Sequence, residues 1–156
     1  MPKKIKSKKP KRINKARELK KLKLKADKLW SLYIRHRDEK CMLCGATEDL
    51  QAHHCIVRKA LGNATRWHIN NGISLCYVCH LIEIHRNATK STLEKYLKIL
   101  NNKYTKKQQE EVYSLYRKGI KIEYEDMVKI VFDLENKLRK ILIIHLVNLL
   151  QKRYNK

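Results

Sequence analysis

The spacing of apolar residues divides the chain into three parts. From about residue 14 to 38, Leu19, Leu22, Leu24, Leu29, Trp30 and Tyr33 recur at steps that share a helical face, so a helix is expected there. The middle is built differently. Residues 51–57 and the "GISLC" of residues 72–76 read as two short strands, separated by a loop over 58–71 that holds Gly62, Asn63, Asn70 and Asn71. "YVCHLIEIHRN" then takes helical spacing, with Val78, Leu81, Ile82 and Ile84 as burial candidates.

The last third is helical by pattern. "STLEKYLKILNNKY" has Ser91 or Thr92 as a cap, and "TKKQQEEVYSLYRKG" has Thr105 as a cap and Gly119 as a stop. A final helix is expected over residues 123–153, with Met127, Val131, Leu134, Leu138 and Ile141 at three- and four-residue steps. The pattern predicts an α+β, mainly helical fold in which a small two-strand module is flanked by helices. Three regions follow: a basic, disordered arm over 1–25, a central module over 26–100, and a helical C-terminal region over 101–156.

Charge narrows the partners. The chain of 156 residues has 37 Lys and Arg against 15 Asp and Glu, a net charge of +22, which favours a polyanion and makes DNA the first candidate. Residues 1–25 alone hold 13 basic residues and one acidic residue, Glu18, too few apolar groups for a core of their own. The longest apolar run, residues 141–150, is about half of what a membrane span needs and is bracketed by Arg139, Lys140, Lys152 and Arg153. It reads as a packed or interfacial helix, a candidate homodimer element. No apolar stretch follows the charged start, so neither a secretory signal nor a membrane location is expected.

The cysteines carry the firmest chemistry. Cys41, Cys44, Cys76 and Cys79 form two C-x-x-C pairs separated by 31 residues, and Gly45 allows the tight turn a zinc knuckle needs. Two pairs of thiolates close a tetrahedron about Zn2+ with no open position, so the site is structural and the compartment reducing, hence cytoplasmic. Cys55 is left over and reads as a small buried residue.

Four thiolates leave the histidines for another purpose. His53 and His54 lie on the first strand, where successive side chains point to opposite sides, so they cannot share one metal unless the strand is irregular there. One can bind a divalent cation while its neighbour takes a proton from water. His80 and His85 follow on the next helix, five residues apart, and on a regular α-helix that step turns about 140° past the first residue.

The stretch "CMLCGATEDLQAHHCIVRKALGNATRWHINNGISLCYVCHLIEIH" resembles the HNH, or ββα-metal, endonucleases. The matching features are the paired "HH", the Asn before a Cys in "NGISLC", and the closing "CH". The resemblance implies a zinc-stapled ββα-metal nuclease module. In it His54 is the general base, His53 and His80 bind a catalytic divalent ion, Asn71 braces the loop that orients the base, and His85 is the third ligand. Asn87 is the alternative to His85, and Asn70 the rival to Asn71. "LYIRHRDEKCMLCG", with "STLEKYLKILNNKY" and "YEDMVKIVFDLENKLRKI", is also similar to phage NinG-type recombination proteins, also called Rap, which cut branched DNA.

The function the two resemblances imply is divalent-metal-dependent hydrolysis of DNA phosphodiester bonds, branched intermediates included, by a phage-encoded or nucleoid-associated protein. Mg2+ or Mn2+ is the expected ion, and histidine ligands also tolerate Ni2+ or Zn2+. Arg58, Lys59 and Arg66 are the candidates for phosphate contacts. The alternative is a zinc-stabilised DNA-binding module without catalysis. His36, His68 and His145 read as surface or packing residues, and Trp30 and Trp67 as core anchors.

Overall fold

A computed structural model describes residues 14–61 and 64–154 of the chain. Helix α1 spans Lys15–Asp38 and is capped by the Asn14 side chain, which accepts from the Arg17 N–H at 3.2 Å. The described part of the 1–25 segment is therefore helix, as the spacing from about residue 14 predicts. Its cause is packing: Leu19 and Leu22 lie against the core that Ala26, Trp30 and Ile34 open. Residues 1–13, the most basic part of that arm, lie outside the described residues.

Strands β1 (Leu50–His54) and β2 (Gly72–Cys76) pair antiparallel, with His53 opposite Ile73 and His54 opposite Gly72. A single 3-10 turn, Ile69–Asn71, leads into β2, and a π-helix, Val78–Arg86, follows it. Three α-helices complete the chain: α2 (Lys90–Lys103), α3 (Lys106–Arg117) and α4 (Tyr124–Tyr154). The fold is thus mainly helical α+β, as the spacing predicts. Thr105 caps α3 in a reciprocal capping box with Gln108, and Gly119 follows that helix at φ +57°, whereas α2 is capped by Thr89 rather than Ser91 or Thr92.

Helices α1 and α4 run side by side in the same direction. Their polar contacts advance together: Lys15 with Glu125, Lys25 with Glu135, and Glu39 with His145. Met127, Val131 and Leu134 of α4 meet Ala26, Trp30 and Ile34 of α1, with Trp67 closing the cluster. Trp30 and Trp67 are therefore core anchors. Beyond its contact with Glu39, α4 continues with Leu146 and Leu149 about 60% exposed, so its apolar end has no cover among the described residues. No described helix is long and apolar enough to cross a membrane.

A buried ionic network ties α1 to the sheet. Asp38, whose side chain is fully buried, pairs with Arg37 and Lys103 at 2.7 Å each and accepts from the Ser74 N–H at 2.8 Å. Arg37 also donates to the carbonyls of Ile69 and Gly72, on either side of Asn71. Burial raises the Asp38 pKa, but the two cations outweigh it and hold the carboxyl below its ordinary value. The folded form therefore binds a proton less readily than the unfolded one. Stability from this group is present above about pH 4 and is lost as pH falls through the depressed folded pKa. Asp38→Ala is expected to cost about 3 kcal/mol at neutral pH, because two half-buried cations lose their buried partner. Urea midpoints should show that difference at pH 6 and show it reduced at pH 3.

Candidate metal centres

The two cysteine pairs meet at one point. Cys41 and Cys44 lie in the turn after α1, where Gly45 adopts φ +81° and its N–H donates to the Cys41 carbonyl at 2.8 Å. Cys76 ends β2, Cys79 opens the π-helix, and the Cys79 N–H points at the Cys76 sulfur from 3.5 Å. All four sulfurs lie within 4.8 Å of one another. Cys44 Sγ and Cys76 Sγ are 3.6 Å apart, against an edge of about 3.8 Å for a tetrahedron with Zn–S bonds of about 2.3 Å. The donor set therefore fits a structural metal such as zinc.

Two of the thiols are shifted in opposite directions. Burial raises the pKa of Cys41, but backbone N–H donors around the knuckle outweigh it and bring it down to about 7. Burial and the neighbouring sulfurs push Cys79 up. One proton leaves readily, while loss of a later one needs a bound cation to neutralise the clustered charge. Cys55 stands outside this group, its thiol pushed up to about 12 by burial, as suits a packing residue.

The histidines form a second group. A ring nitrogen from each of His53, His80 and His85 lies within 4.8 Å of the others, and the rings meet edge to face at centroid distances of 5.0 to 5.3 Å. The π-helix explains how His85 joins. Its i to i+5 repeat brings residues five apart toward one side, where an α-helix would turn the second away. The Asn87 N–H continues this pattern by donating to the Ile82 carbonyl at 2.8 Å. Asn87 itself is exposed at the end of the π-helix.

Neighbouring groups select the nitrogen each ring presents. His80 Nδ1–H donates to Gln51 Oε1 at 2.6 Å, which leaves Nε2 with a free lone pair. His53 Nε2 pairs with Tyr96 Oη at 3.0 Å, leaving Nδ1 as its other nitrogen. Burial, reinforced by His80 and His85, lowers the His53 pKa to about 3, and burial followed by His85 lowers that of His80. Both rings are therefore neutral near pH 7, the state in which imidazole binds a metal.

His54 points away from this trio, as strand alternation requires. Its ring stacks on Trp30 with centroids 4.0 Å apart, and its Nε2–H donates to the Arg66 carbonyl at 2.8 Å. That bond leaves Nδ1 unprotonated. Burial is the largest influence on the His54 pKa and lowers it, outweighing the opposing Arg66 hydrogen bond.

Asn71 is fully buried and satisfied on both ends of its amide. Its Oδ1 accepts from the Ile56 and Val57 N–H groups at 2.9 and 2.8 Å, and its Nδ2 donates to the carbonyls of Val57 and Thr65. It braces the loop after β1, so the strand expected to reach residue 57 ends at His54. The rival Asn70 makes no such bridge: its N–H donates to His68 Nδ1.

The histidines line a cleft of about 690 Å³, with Trp30, Asp27 and Tyr96 on its walls and Arg58 and Lys59 at its edge. Lys59 and Arg66 are both engaged by Asp27, at 3.1 and 2.5 Å, whereas Arg58 is exposed. Gln51, Tyr96, Asp27 and Trp30 are the site's neighbours that sequence reasoning missed. Gln51 was accessible in principle, since it shares a strand face with His53 two residues on.

Four sulfurs suited to a structural metal, beside three clustered imidazoles in an open cleft, define a small protein with one closed and one accessible candidate metal centre. Comparison of the chain with family models, with curated proteins and with solved structures finds no match.

Proposed function

We propose that the chain is a divalent-metal-dependent endonuclease of the HNH type that hydrolyses DNA phosphodiester bonds. The observation that carries this reading is the pairing of two unlike histidine environments at the end of β1. His53 joins His80 and His85 in a three-nitrogen set, while His54, its Nε2–H held by the Arg66 carbonyl, lines the same cleft.

His53, His80 and His85 would hold the catalytic cation, with Mg2+ or Mn2+ the working ions, and the four cysteines would hold structural Zn2+. When bound, the cation supplies neutralisation of the charge that grows on the scissile phosphate. The protein's own groups do the rest. His54 Nδ1 takes a proton from the attacking water as the new O–P bond forms. The P–O3′ bond breaks, and the released oxygen is protonated from solvent. Asn71 holds the loop after His54 in place, and Arg58, exposed at the cleft, would contact a flanking phosphate. Lys59 and Arg66 spend part of their charge on Asp27 and contribute less.

The net charge of +22 supports a nucleic-acid substrate, and the likeness to NinG-type proteins suggests branched DNA among the forms to try. One such cleft per chain serves one strand. A second copy, docked on the apolar end of α4, would supply the other.

The cation site is tested by titrating the zinc-loaded chain with Mn2+ and following the free ion by electron paramagnetic resonance. One site per chain is expected. His85→Ala should weaken it by about 10-fold or more, in line with the effect of losing a well-oriented site group. Unchanged Mn2+ affinity in His85→Ala would remove His85 from the site and leave His80 as the π-helix's contribution.

A further inference from the structure

The groups that hold His54 come from outside the β1, β2 and π-helix unit. The Trp30 ring of α1 lies 4.0 Å from the imidazole, nearly parallel at 21°. The ring's Nε2–H is bound by the Arg66 carbonyl, and Arg66 is itself anchored by Asp27 of α1, through Nε at 2.9 Å and Nη2 at 2.5 Å. Asp27 also accepts from Trp67 Nε1 at 2.9 Å and from Lys59. Asp27 and Trp30 are three residues apart and share one face of the helix.

Trp30 is fixed in turn. Its Nε1–H donates to the His68 carbonyl at 3.1 Å, and Gly72, opposite His54 in the sheet, leaves room for its ring. A methyl group at Gly72 would lie 2.5 Å from Trp30 Cζ2 and 2.8 Å from Ile34 Cδ1. Glycine at this place lets α1 press against the strand pair.

We infer that Asp27 and Trp30 are positioning residues for the nuclease reaction, fixing the tautomer and the ring plane of His54 from α1. The inference rests on the reading of His54 as the general base. Asp27 gathers two cations and an indole N–H around one carboxylate, and so holds the Arg66 carbonyl where it receives His54 Nε2–H. Without that acceptor the proton distributes over both ring nitrogens, and part of the population presents a protonated Nδ1 to water. Trp30 acts on the other degree of freedom. Rotation about the imidazole's second side-chain torsion is broad in the absence of packing, and the indole limits it to one plane.

This role has a signature distinct from binding DNA. Removing Asp27 frees Arg66 and Lys59 and makes the cleft more positive, so affinity for DNA should hold or rise while turnover falls. Asp27→Ala and Trp30→Leu are each expected to lower kcat by about 10- to 100-fold on a plasmid substrate with Mn2+, the scale of a small misplacement of a catalytic group, with KM unchanged or lower. Trp30→Phe keeps an aromatic face and should restore most of kcat. Nitrogen chemical shifts of the His54 ring should report one Nε2–H tautomer in the parent and a mixture in Asp27→Ala. Circular dichroism and zinc content confirm that each variant is folded.

A folded Asp27→Ala chain with parental kcat, or with an unchanged single tautomer, would overturn the inference. So would a rise in KM as its main effect. A parent chain that does not cut DNA with any of the metals tried fails the nuclease reading, and with it any catalytic role for Asp27 and Trp30. The ring shifts then still decide whether Asp27 sets the His54 tautomer.

Discussion

His54→Ala is expected to lower metal-dependent DNA cleavage by at least about 100-fold while leaving zinc content, fold and DNA affinity close to those of the parent. The magnitude is that of removing a general base, about 100- to 10,000-fold. The selectivity comes from position. His54 lies across the strand from the trio of His53, His80 and His85, so its loss takes no nitrogen from the candidate cation site. It is only partly buried, and what it leaves behind is a gap against Trp30 and an Arg66 carbonyl facing the cleft. His54→Gln fills more of that gap but cannot take up the proton, so it should be as inactive and better folded. Cleavage rate and filter-binding affinity on one DNA duplex separate the outcomes. Equal losses in both would sink the assignment of His54 as the base.

Cys76→Ser has a different consequence: it should unfold the central module. Serine does not ionise near neutral pH and is a poor ligand for zinc, so one vertex of the tetrahedron is lost. Apparent zinc-binding free energies of about 10–16 kcal/mol equal or exceed the whole stability of an ordinary domain. Cys76 also ends β2 and belongs to the buried cluster of Cys41, Ile73, Leu75, Cys79, Leu100 and Tyr104, so the strands and the start of the π-helix depend on it. The expected result is less than one zinc per chain by atomic absorption, rapid proteolysis between residues 41 and 86, and no nuclease activity. A folded and active Cys76→Ser chain would refute the four-cysteine centre.

How far these sites could be read from the chain depended on which force set each part. The cysteine tetrahedron was legible because C-x-x-C is a local geometry that any fold must respect. The strands around His53 and Gly72 were legible because their alternation and turn residues are local too, though Asn71 cut the first one short from fifteen residues away in the chain. The π-helix was not legible. Its extra residue per turn has no propensity signature, and a helical reading at 3.6 residues per turn placed His85 off the face it shares with His80. Trp30 was expected as a core anchor and is one, but its contact with His54 follows from how α1 docks on the sheet, which no periodicity encodes. The same holds for Asp27, whose partners Arg66 and Trp67 arrive from a distant loop. The parallel seam of α1 and α4 was visible only as two separate apolar stripes.

The most direct measurement is cleavage of supercoiled plasmid and of a synthetic four-way junction by the purified, zinc-loaded chain, with EDTA, Mg2+ or Mn2+. The account predicts nicked or linear product with Mg2+ or Mn2+ and none with EDTA, at a chelator concentration that leaves the four-cysteine zinc in place. Preference for the junction would make branched DNA the substrate. Tight DNA binding with no cutting under any of these metals would contradict the account and leave a zinc-stabilised DNA-binding module.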